Sequence, residues 1–186
     1  MQRFFRRSHN DGLANELSFR YGPSTRNQRI ESWWSILRKS CCSWWIIFFK
    51  DLCDETIFDP SIWYHVQFSR FCFMSVVQIE LDQTKNLWNN HYIIRKTHNA
   101  ESPPGRPNVL YFTPTLSNGE ECKLPSNDHD FLLAEQMVEE PSFLGCSQEI
   151  LEFAILVMQE YDIDVPNDFI QAKELLLLLL REISQN

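Results

Sequence analysis

The fold is read from Arg20-Tyr-Gly-Pro-Ser-Thr-Arg-Asn-Gln-Arg-Ile-Glu-Ser-Trp-Trp34 and the residues that follow it to Lys39. Pro23-Ser24-Thr25 supplies turn and N-cap chemistry, which predicts a helix over 26–39. Ile30, Trp33, Trp34 and Leu37 then fall at i, i+3, i+4 and i+7, the spacing of one buried stripe. At about 100° per residue, Asn27, Gln28, Ser35 and Arg38 lie within about 60° of Glu31, while the apolar stripe centres about 110° away. Glu31 therefore shares a polar face with two amides, a hydroxyl and a guanidinium. A carboxylate so placed suits a divalent cation, with Arg38 set to hold a phosphate. On spacing alone, an ordinary surface glutamate fits the same face.

Helical periodicity continues outward from this stretch. Cys41, Trp44, Trp45, Phe48, Phe49 and Leu52 form a second stripe, with a break expected near residues 39–43. Asp59-Pro60 reads as a helix start, acid as cap and proline at the first position, for a helix running to about Asn90. Within it, 68–77 is apolar enough to suit a strand as well. Residues 108–113 read as a short strand, 116–130 as a loop, and 148–161 and 166–183 as helices. The six leucines from Leu175 to Leu180 predict burial in a core or interface. No internal repeat is present.

Charge divides the chain more sharply than its net −8 suggests. Residues 1–106 hold 14 Lys and Arg against 10 Asp and Glu, and residues 107–186 hold 3 against 15. A basic, aromatic-rich part is followed by an acidic one, with the Pro- and Gly-containing stretch 99–108 between them. The acidic total argues against a generic basic nucleic-acid coat but leaves room for a local basic face. None of the six cysteines forms a C-x-x-C pair, which gives no support for a structural zinc site. The opening residues lack a signal-peptide apolar core, so reduced thiols and an intracellular setting are expected. No apolar run approaches the roughly 18 residues of a spanning helix, so no membrane partner is expected. Adjacent Cys41-Cys42 reads as small core residues, and His91 as the satisfied end of a helix. No G-x-S-x-G elbow supports an acyl-transfer nucleophile.

The literal residues add a resemblance. Arg20 to Trp34, with Leu37-Arg38, resembles the last catalytic motif of DDE-type integrase cores, most of all the transposon-derived integrase-core proteins of animal genomes. The most specific part is Asn27-Gln-Arg-Ile-Glu31-x-Trp-Trp34. The similarity continues through 43–52, 88–95 and 104–112, and fades beyond residue 113. It implies residues 1–113 as the C-terminal part of an RNase H-like α/β fold, and 114–186 as an acidic helical extension. The chain as it stands is expected to be mainly α.

The resemblance also implies DNA as a partner, nuclear residence, and a two-metal polynucleotidyl transfer site with Mg²⁺ or Mn²⁺. In such a site three carboxylates hold two ions about 3.5–4 Å apart. Glu31 matches the helix-borne carboxylate and metal ligand, flanked by Arg26, Asn27, Gln28, Arg29, Ser35, Arg38 and Lys39 as candidate nucleic-acid contacts. The family's two aspartates lie upstream of the matched segment, and Asp11, Asp51, Asp54 and Asp59 sit at the wrong places to substitute. The expectation is a partial core without catalysis of its own. Two other readings stand beside it. One is a repurposed interaction module that binds protein or self-associates through its aromatic faces. The other is non-catalytic DNA binding through the basic N-terminal half. In each, Trp33, Trp34, Trp44 and Trp45 need cover from one another, from the tail helices or from another chain.

Overall fold

A computed structural model describes residues 2–10, 12–18, 28–94, 103–120, 127–138 and 144–185. In chain order the helices are α1 (Gln2–Phe5), α2 (Gln28–Leu37), a π turn (Arg38–Cys42), α3 (Ser43–Asp54), α4 (Trp63–Asn90), α5 (Pro107–Phe112), α6 (Asp128–Gln136), α7 (Gln148–Glu160) and α8 (Phe169–Gln185). Short 3-10 turns occupy Asn15–Ser18 and Pro114–Ser117. Among the described residues the β pairing consists of one antiparallel bridge, Ile93 to Gly105, closed by N–H···O bonds of 2.9 and 3.1 Å. The chain is mostly helical, as its periodicity predicts. No helix among the described residues is long and apolar enough to cross a membrane.

The chain divides into two compact units, Met1–Trp33 with Tyr92–Glu140, and Trp34–His91 with Pro141–Asn186. The second unit holds a core built from the π turn, α3, α4, α7 and α8. Phe68, Cys72, Phe73, Leu52, Leu175, Leu176 and Leu179 are its largest fully buried side chains. Phe73 is a hub: the rings of Phe49, Phe48 and Trp45 lie 5.2, 5.4 and 5.9 Å from it. Phe153 of α7 packs on Phe68 in a tilted pair with ring centres 5.6 Å apart. Phe169 of α8 meets Trp44 edge-on at 4.9 Å. Helices α7 and α8 thus pack on α4, while Trp45 is buried among the aromatic rings of α3 and α4. Within the leucine run, Leu175, Leu176 and Leu179 are buried while Leu177 is exposed, so the run is one-sided rather than buried all round.

The first unit is lighter. Phe5 of α1 packs at 5.1 Å on Phe131 of α6, and the Arg7 guanidinium bonds Asp130 at 2.6 Å. That ion pair is asymmetric, with the Asp130 side chain buried and that of Arg7 half-exposed.

Several local expectations change. The break expected near 39–43 is a π turn, in which Ser43 N–H bonds the Arg38 carbonyl and the helical path continues into α3. The strand expected at 108–113 is α5: Pro107 fixes a helical first residue, and Leu110 N–H closes onto the Arg106 carbonyl at 2.9 Å. The alternative strand at 68–77 lies inside the 28-residue α4. Asp59 does not cap α4. Its Oδ1 accepts from Ser61 N–H and Oγ in a turn, and the helix starts at Trp63. Pro166 likewise precedes α8, and Asp168 caps it by accepting from Ile170 and Gln171 N–H at 2.9 Å each. Helix α6 begins inside the expected loop, capped by the Asn127 side chain on His129 N–H.

Candidate metal and nucleic-acid site

Helix α2 carries the candidate residues. Glu31 lies in its first turn, where a carboxylate complements the positive end of the helix dipole. Its side chain is exposed, as is that of Ser35 one turn later on the same face. Arg38 and Lys39 are exposed on the π turn that follows. Gln28 and Arg29 are helical in backbone, and Arg26 and Asn27 lie outside the described residues. On the opposite side Ile30, Trp33 and Leu37 are half-buried, but Trp34, expected in the buried stripe, is 54% exposed. The amphipathic sidedness is therefore present, with its apolar edge open at Trp34.

A two-ion centre needs several carboxylates converging on a few ångströms. Among the described residues no group of three or more His, Cys, Asp or Glu side chains is placed to hold a metal ion. Glu31 alone does not match the donor set that the resemblance implies. Asp51 and Asp54 are exposed on α3, and Asp59 is engaged with Ser61.

A second site was not foreseen. A cleft of about 550 Å³ opens along α4 beside the π turn, lined by Ile36, Ser40, Cys41, Glu80, Thr84 and Leu87 among others. The Trp45 indole N–H donates to Glu80 Oε2 at 2.7 Å, and the Cys41 thiol reaches the same oxygen at 3.9 Å. Burial and the neighbouring Cys42 and Glu80 push the Cys41 thiol up, which suits the small, inert core residue expected of it. At the cleft's far end His91 stops α4, its Nδ1 bonded to the Trp88 carbonyl and its ring 4.4 Å from the Trp88 ring. Phe73, Val76 and Glu80 fall at i, i+3 and i+7 of one helix. An acid on a buried stripe requires a donor, and that spacing was the available signal.

A sequence model of the family described as an integrase core domain matches residues 8–123. Searches of curated proteins and of solved structures return no match. The match covers more than half of the chain and includes all of α2 with its Glu31 motif. On that span, the chain belongs to the integrase core domain family.

Proposed function

We propose that this chain is part of an integrase- or transposase-like core whose ancestral chemistry is metal-dependent DNA strand transfer, with Glu31 as the helix-borne ligand to Mg²⁺ or Mn²⁺. The family is generally dependent on divalent metal and acts on DNA, so integrase-like function follows at family level. The observation that carries the finer reading is Glu31 itself, exposed in the first turn of α2 within the Asn27-to-Trp34 motif. On this reading residues 1–113 derive from an RNase H-like core, 114–186 are an acidic extension, and the protein works beside DNA in the nucleus. A single carboxylate does not position two dications, so the chain is non-catalytic by itself.

Joining residues 1–186 to an upstream integrase-core segment bearing two strand-borne aspartates is expected to yield Mg²⁺- or Mn²⁺-dependent nicking of DNA. Glu31→Gln should lower it by more than about 100-fold, beyond the effect of losing an outer-shell partner. Equal nicking by the Glu31→Gln protein would refute the assignment.

Two alternatives draw on particular residues. Arg38 and Lys39, exposed on the π turn, favour non-catalytic binding to a phosphate backbone, for which affinity would fall steeply with salt. Trp34, Ile46 and Ile47, each more than half exposed, favour a protein-interaction module.

A further inference from the structure

Among the described residues, Glu80 has one oxygen committed and one open. Both bonds to its carboxylate, from Trp45 Nε1 and Cys41 Sγ, arrive at Oε2. Oε1 takes none among the described residues. The indole bond fixes the carboxylate's orientation, because Trp45 is itself held in the aromatic cluster around Phe73. The cleft that Glu80 lines adjoins a second depression of about 680 Å³, and the two share Gln83, Leu87 and His91. Together they form a groove along one side of α4. No Lys or Arg lines either depression among the described residues, and Lys85 nearby on α4 is paired with Asp82 at 2.6 Å. Among the described residues, then, the groove carries a carboxylate without a lining cation to answer it.

The remaining walls narrow the class of ligand. Leu87, 75% exposed, stands between the two depressions and offers an apolar surface for an aliphatic stem. The Thr84 hydroxyl and the Gln83 carboxamide lie one turn or less from Glu80 and add acceptors. Asn86 lines the second depression, and its carboxamide suits a peptide N–H and C=O together. A planar guanidinium has five donors on an apolar stem, and it meets a fixed carboxylate with neighbouring acceptors better than a point-charge ammonium does.

We propose that this groove docks an extended peptide segment of a partner protein through one arginine side chain, paired with Glu80 and lying along Leu87. The groove lies in Trp34–His91 and needs neither Glu31 nor metal, so it stands apart from the strand-transfer reading.

The test uses the 186-residue protein and a capped Gly-Gly-Arg-Gly-Gly peptide, followed by amide NMR shifts. Saturable shifts confined to α4 and the π turn are expected. Replacing arginine with citrulline, its neutral isostere, should weaken binding by more than about tenfold, and so should Glu80→Gln. Glutamine keeps an acceptor for the Trp45 indole, and far-UV circular dichroism checks that the fold survives. If that variant unfolds, Gln83→Lys at the exposed rim is the second probe and should abolish binding with an unchanged melting profile. Equal binding of the arginine and citrulline peptides, wild-type affinity in Gln83→Lys, or no saturable shift would overturn the proposal. Displacement of the peptide by spermidine at equal concentration would overturn it too, because it would mark a general cation trap.

Discussion

His65 on α4 accepts the Asp59 N–H through Nδ1 at 3.0 Å, a bond that only the unprotonated nitrogen makes. Burial lowers its pKa, with the Asp59 carboxylate opposing. The unfolded chain therefore takes up this proton first as acid is added. Its stabilising contribution is whole above about pH 6.5, and it declines as pH falls through that value toward the lower folded one. The expected result is a proton-NMR titration of His65 with a midpoint below 6.5 and a urea midpoint that drops over the same window. A midpoint above 6.5 would contradict this. Asp59 shows what residue-level reading misses: Asp-Pro is a sound helix-start signal, yet the carboxylate closes onto Ser61 and the helix begins later. Short acids have several nearby donors to choose from, and local sequence does not rank them. The exposure of Glu31 on the polar side of α2 was legible because helical spacing alone sets it. Glu80 was not, because its donors Trp45 and Cys41 lie some 35–40 positions away in sequence.

Between α4 and α7 the connection is set by a few backbone positions. Gly145 has φ +64°, and a Cβ there would stand 3.0 Å from Met74 Cε. Its carbonyl accepts from Arg70, and two residues on, Ser147 N–H donates to the buried Gln67 at 2.9 Å before Ser147 caps α7. Gly145→Ala adds left-handed strain to a tight contact and should cost about 1 kcal/mol or more in urea unfolding. An unchanged midpoint would show that the loop moves freely. At this scale the long helices were readable from periodicity, since α4 and α7 each keep a sustained apolar pattern. The π turn was legible in position, as a break near 39–43, but not in kind, because an interrupted apolar spacing does not say whether the helical path stops or bulges. Short α5 was misread in type: Asn-Val-Leu-Tyr-Phe-Thr has strand composition, but Pro107 imposes helical geometry on its first residue.

For the whole molecule, α7 and α8 complete the core of the second unit. Leu176 is fully buried in that core, to which α3, α4 and α7 contribute. Leu176→Ala should therefore cost about 2–5 kcal/mol, with loss of near-ultraviolet aromatic dichroism. A cost below 1 kcal/mol would mean that α8 is only loosely attached. The charge asymmetry separates a basic from an acidic part of the chain but does not report packing, because charge reports on the solvent face while packing depends on the apolar one. Family membership was legible in α2, whereas the donor set around Glu31 depends on residues brought together in space. On the proposed reading, Glu31 belongs to an integrase-type metal centre that this chain does not assemble by itself. A Mn²⁺ titration of the 186-residue protein beside its Glu31→Gln variant, read by water-proton relaxation, tests it most directly. The two proteins are expected to give the same weak, unsaturating response. A saturable submillimolar site present in the wild type and lost in Glu31→Gln would contradict it, since the chain would then build the centre alone.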